Sequence, residues 1–189
     1  MPTNNHSILT LVRLLAGASP VERDDPILRE AFSRLRATTD PSEATELDRL
    51  IWMAWDSGGS ETAMECLHDG VTAMADDRMP AAIAAFSRAI TADPGFAEAW
   101  NKRATAHFVA GDLPASIMDI AATLVREPRH YGALAGLGQI LLKTKNPAGA
   151  LAAFEAALAV NPHLTEVRAV ADKLRSAIDE PPPDRPTLH

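Results

Sequence analysis

The chain has 189 residues with 25 acidic and 18 basic side chains, a net charge of −7; it lacks the cationic surface that phosphate backbones demand, which argues against nucleic acid as a partner. Alanine accounts for 35 residues against 17 valines and isoleucines together, a balance that favours closely packed helices over strands. The single cysteine, Cys66, excludes an internal disulfide and a thiol cage for a metal, and the longest stretch without a charged side chain, 130–142, has 13 residues where a bilayer span needs about 20.

Residues 8–18 (ILTLVRLLAGA) are apolar and end in small residues as an export leader does, but Arg13 interrupts them and no lysine or arginine precedes them. They read as a short apolar helix, within a segment 1–20, at the start of a cytoplasmic protein; a degenerate leader of a periplasmic protein is the alternative. An N-terminal hairpin is expected over 21–59, with helices at 25–36 and 40–55. Asp40-Pro41-Ser42-Glu43 is a helix start, and Leu47, Leu50, Ile51, Ala54 and Trp55 follow as a buried stripe. Trp52 precedes Phe86 by 34 residues and Phe32 precedes Cys66 by the same interval, so the hairpin reads as a degenerate repeat ahead of those that follow. Gly58-Gly59-Ser60 is a joint with Ser60 as cap rather than an anion-binding loop.

From residue 60 the chain repeats. Pro94, Pro128 and Pro162 are 34 residues apart, and the same interval relates Gly70, Ala104 and Gly138; Ala82, Ser116 and Ala150; Phe86, Ile120 and Phe154; and Ala89, Thr123 and Ala157. The units are 63–96, 97–130 and 131–164. Each reads as two helices around a short turn, at Asp76-Asp77-Arg78, Gly111-Asp112 and Lys145-Asn146, with Pro80, Pro114 and Pro147 opening the second helix. Small residues on facing helices let the axes approach, and the aromatic column fills the space between hairpins. In this register Cys66 shares a column with Trp100 and Leu134 and is expected to be buried. After Pro162, Val167, Val170, Ala171, Leu174 and Ile178 mark one face of a cap helix over 165–179, and 180–189 is a proline-rich extended tail.

Trp100 with Ala104, Ala82 with Phe86 and Ala89, and Leu137-Gly138 with Ala150, Phe154, Ala157 and Pro162 resemble the tetratricopeptide repeat (TPR). The middle unit departs from that pattern, with Arg103 where leucine is usual and Ile120 where an aromatic is usual. The resemblance implies an all-α fold, a right-handed superhelical stack of antiparallel helix hairpins whose first helices line a concave groove for peptides or partner helices. Carried over by spacing, the groove would hold Met64, Leu67, Val71 and Met74 from the first repeat, Glu98, Asn101, Thr105 and Phe108 from the second, and Gly132, Ala135, Gln139 and Leu142 from the third. The clamp of lysine, arginine and paired asparagines by which chaperone-binding members grip a C-terminal carboxylate is matched only by Asn101, Lys102 and Arg103, since Leu67, Val71, Gly132 and Gly136 stand at its other places.

Chemistry is not indicated. The six histidines have no metal-ligand spacing, and no HExxH, CxxC, GxSxG or GxxxxGK[ST] motif occurs. No catalytic residue, metal or cofactor is expected. Two function classes follow: an interaction module whose groove takes a protein or peptide, or a self-associating component, a homodimer among its forms, whose N-terminal helix fills the groove or mediates assembly.

Overall fold

The computed structural model describes residues 25–179. Among these residues there are nine helices and no strand: α1 (Pro26–Ala37), α2 (Pro41–Asp56), α3 (Glu61–Ala75), α4 (Met79–Ala92), α5 (Ala97–Val109), α6 (Leu113–Arg126), α7 (Tyr131–Lys143), α8 (Pro147–Val160) and α9 (Thr165–Asp179). The apolar stretch 8–18 and the proline-rich tail lie outside the described residues.

Short polar side chains start the helices. Asp25, Asp40, Ser60, Asp112 and Asn146 each accept a first-turn backbone N–H of α1, α2, α3, α6 and α8, and a proline sits in the first turn of α1, α2, α4, α6 and α8, where no N–H is required. The turn inside each repeat uses one left-handed residue: Asp77, Gly111 and Lys145, with φ of 59°, 84° and 58°. These positions are 34 apart. Glycine adopts this conformation freely, whereas aspartate and lysine do so at roughly 1–2 kcal/mol, so here the backbone repeats more strictly than the residues.

The pairs α3–α4, α5–α6 and α7–α8 form antiparallel hairpins, each second helix packs on the first helix of the next unit, and α9 covers α8. The result is the expected right-handed helical solenoid. Its small columns are steric necessities: a Cβ at Gly70 would run into the ring of Phe86, and one at Gly138 into Phe154. The apolar interior falls into two cores, one in the first repeat and the start of the second, the other spanning the second and third repeats and α9. Between them the guanidinium of Arg103 donates to both carboxylate oxygens of Asp119 at 2.8 Å and to Ser87 Oγ at 3.0 Å. One departure of the middle repeat, Arg103, thus forms a polar bridge from α5 to α4 and α6.

The N-terminal hairpin does not stack ahead of the first repeat. Helices α1 and α2 pack on each other, α2 reaches α5 and α1 reaches α8, and Phe32, Leu35, Leu47, Ile51 and Trp55 share the second core with Leu134 and Leu137. Gly132, His130 and Tyr131 receive the rings of Trp52 and Trp55. Within the expected α2 stripe, Leu47, Ile51 and Trp55 are buried, whereas Leu50 is exposed because Trp52, on the neighbouring face, points to the repeats. Ile178 is likewise exposed at the end of α9. Cys66 is half-buried rather than buried.

Candidate partner-binding groove

The first helices of the second and third repeats, α5 and α7, part to leave a cleft of about 120 Å³, lined by Asn101, Ala104, Thr105, Phe108, Ile120, Gly132, Gly136, Gln139 and Ile140 among others. Asn101, Thr105, Phe108 and Gln139 were expected there from spacing, as was Gly132, and the fold brings them together. Thr105 and Gln139 are exposed, Phe108 is half-buried and Asn101 is 8% exposed at the cleft wall.

Other expected positions lie elsewhere. Leu67 belongs to the core of the first repeat, with Met64 and Met74 packed against it, and Val71 stands exposed on α3 outside the cleft. Leu142 and Ala135 pack against the second core rather than facing the opening. Glu98 is the clearest correction. Spacing places it in the groove, but it is only 1% exposed and lies inside a polar cluster.

That cluster ties the hairpin to the groove. His130 Nδ1 accepts from the Ala133 amide, so its Nε2 carries the proton and donates to Glu98 Oε2 at 2.7 Å. Asn101 Nδ2 donates to both Glu98 oxygens, at 3.1 and 3.2 Å, and Lys102 Nζ lies 3.0 Å from Oε1. Burial pushes the Glu98 carboxyl up, yet the hydrogen bond from His130 and the charge and bond of Lys102 outweigh it and hold the group below the ordinary glutamate range. Above the cluster, Trp55 stacks on His130 and Trp52 meets both aromatic residues edge-on, with Lys102 over its outer ring. Farther along, Asp48 accepts from Tyr131 Oη at 2.7 Å and Asn161 Nδ2 at 2.9 Å, and His163 Nε2 donates to the Leu35 carbonyl at 3.0 Å. The hairpin therefore closes the end of the groove at the N-termini of α5 and α7, while the stretch from Asn101 to Phe108 stays open.

Sequence spacing missed Trp52, His130, Tyr131, Asp48 and Gly136. Trp52 shares its 34-residue column with Phe86, Ile120 and Phe154, and His130 shares its own with Phe96 and Leu164, so the repeat gave no sign of their role; for Asp48, whose two partners lie 83 and 113 residues away, there was no signal either.

Comparison with known proteins agrees with this fold. Two tetratricopeptide repeat models match, one over residues 70–126 and the other over residues 131–164. A TPR repeat-containing protein of Rhizobium etli is 37% identical over 147 residues, which span 78% of this chain and 70% of that protein. The chain belongs to the tetratricopeptide repeat family. Among solved TPR structures, the first TPR of Spaghetti (RPAP3) bound to the HSP90 peptide SRMEEVD superposes with a TM-score of 0.61 at 18% identity, over 64% of this chain and 96% of that one. The TPR domain of Sgt2 from Aspergillus fumigatus gives 0.60 at 20% identity, over 67% and 89%. At such identities these TPR structures support the shared fold. Among the described residues, no three His, Cys, Asp or Glu side chains gather as a metal site, and no helix is long and apolar enough to cross a membrane.

Proposed function

We propose that the chain is a non-catalytic protein-interaction module, an adaptor or assembly factor, that takes a segment of another polypeptide between α5 and α7. The observation that carries this reading is the open cleft itself: apolar walls from Ala104, Phe108, Ile120 and Ile140, with the neutral polar groups of Asn101, Thr105 and Gln139 placed along them. A site of this make-up suits apolar anchoring combined with hydrogen bonds to a peptide backbone. It offers no nucleophile paired with a base.

The neighbour solved with SRMEEVD is bound to an acidic peptide. In this chain, glycines at 132 and 136 and apolar residues at 67 and 71 stand where that resemblance would require lysine, arginine and asparagine, and Trp52 lies over Gly132. A different peptide chemistry is therefore expected here. The test is site-specific photo-crosslinking in cells from position 139, compared with position 118, where Met118 is exposed on α6 outside the cleft. A defined partner segment crosslinked from 139, absent from 118 and lost with Phe108→Ala, supports the reading; equal yields from both positions oppose it.

A further inference from the structure

Three glycines on α7 face three different things. A Cβ at Gly138 would overlap Phe154, and one at Gly132 would come 2.8 Å from Trp52, so both are demanded by packing. Gly136 is not: a Cβ there would meet only Ile120 Cδ1, at an ordinary 3.7 Å. A glycine within a helix weakens it relative to alanine, so Gly136 forgoes helix stability without a packing reason inside the fold. It lines the cleft, and the missing side chain keeps the floor open.

The opposite wall presents a fixed acceptor. Glu98 as a carboxylate can only accept, so Asn101 must turn its NH2 towards it. The amide oxygen of Asn101 is then directed away from Glu98, towards the cleft that Asn101 lines, and among the described residues no donor reaches it. The Thr105 hydroxyl donates to the Asn101 carbonyl at 3.1 Å, leaving its lone pairs as acceptors as well. At the far end Lys143 Nζ stands 5.2 Å from the Phe108 ring centroid, exposed, with no carboxylate within ion-pair distance among the described residues.

Resting on the proposed role of this cleft, we infer that its partner is an internal peptide segment that seats one branched aliphatic side chain over Gly136, donates a backbone N–H to Asn101 Oδ1, and places an aspartate or glutamate against Lys143. The cleft, about 120 Å³ with walls from Ala104, Ile120 and Ile140, has room for one apolar side chain, and a branched aliphatic residue matches those aliphatic walls. Asn101 and Phe108 are seven residues apart on α5, roughly 10 Å at ~1.5 Å per residue. An extended peptide advances ~3.3 Å per residue, so the acidic residue falls about three positions from the bonded N–H.

The probe is a positional-scanning library of nine-residue fluorescent peptides, acetylated and prepared both amidated and with a free C-terminal carboxylate, titrated against the full chain. The expected selection is Leu, Ile or Val at the anchor with Asp or Glu about three positions to one side. N-methylation of the bonded amide weakens the selected peptide tenfold or more. Lys143→Glu reverses the acidic preference to a basic one, and Gly136→Ala raises Tm while weakening binding at least tenfold. Peptides that bind in the cleft without the acidic preference, or only with a free C-terminal carboxylate, overturn this inference and leave the groove reading standing. Absence of any binding, or binding indifferent to Gly136→Leu and Phe108→Ala alike, overturns both. Tighter binding of a peptide comprising residues 1–24, or concentration-dependent dimerisation blocked by Gly136→Leu, assigns the cleft to this chain itself and also overturns the inference.

Discussion

The imidazole of His130 lies flat against the indole of Trp55, with ring centroids 4.1 Å apart and planes 11° from parallel. Because His130 also caps α7 and holds Glu98, this one stack couples the N-terminal hairpin to the wall of the groove. Trp55→Ala removes a buried aromatic at a cost of roughly 3–5 kcal/mol and is expected to release α1 and α2, seen as fast amide exchange over residues 26–56. Trp55 Nε1 is buried with no acceptor among the described residues. Trp55→Phe deletes that unsatisfied donor, which offsets part of the lost packing, so its cost in chemical denaturation is expected to stay below about 1.5 kcal/mol.

Acidification acts through Glu98. Its carboxyl is held below the ordinary range in the folded chain, so its contribution is fully present above about pH 4.3, the unfolded value, and is lost as pH falls through the lower folded value. The groups that face it are His130, Lys102 and Asn101, with Asp56 beyond Lys102. Asp56 is shifted the other way, by burial first, so the informative quantity is the difference between the wild type and Glu98→Gln. The variant is expected to lose about 1.5–3 kcal/mol at pH 7, the usual worth of a hydrogen bond to a charged group. The gap in denaturation free energy then closes as pH drops below about 4.

Alkali acts through Tyr131, the single tyrosine of the chain. Burial, then the bond to the Asp48 carboxylate, pushes its phenol far above the ordinary value. In the unfolded chain the phenol ionises near pH 10, so stability falls as pH rises beyond that point. Tyrosinate absorbance is expected to appear only together with the loss of helical circular dichroism, in one transition. Tyrosinate forming while the helices persist would place Tyr131 in a solvated site.

Asp119 is nearly buried beneath Arg103. Removing one partner of such a pair leaves an uncompensated charge, so Asp119→Ala is expected to cost about 3–5 kcal/mol. Arg103→Leu combined with Asp119→Ala restores an apolar seam between the two cores, and the double variant is expected to recover more than half of that loss in urea denaturation.

The repeats were legible because 34-residue spacing acts on packing alone: Gly70 and Gly138 must be glycine where Phe86 and Phe154 press on them, and local sequence records that need. The groove was legible in part. Asn101, Thr105, Phe108 and Gln139 reach the cleft that spacing assigned to them, whereas Glu98, at an equivalent helical phase, is covered because Trp52 and Trp55 come back over His130. Helix periodicity gave α1 and α2 correctly but not where they dock. That placement depends on rings meeting glycine and histidine some 80 residues away, and on Asp48 meeting Tyr131 and Asn161, pairings that no local pattern encodes.

The central claim, that a polypeptide segment binds between α5 and α7, is tested most directly by methyl NMR of the isoleucines during titration with a peptide selected from the library. Ile120 and Ile140 line the cleft, Ile90 lies in the core of the first repeat and Ile178 at the end of α9. Binding between α5 and α7 is expected to shift the Ile120 and Ile140 methyl signals saturably and to leave Ile90 and Ile178 unmoved. Saturable shifts at Ile90 or Ile178 with Ile120 and Ile140 unchanged would contradict it.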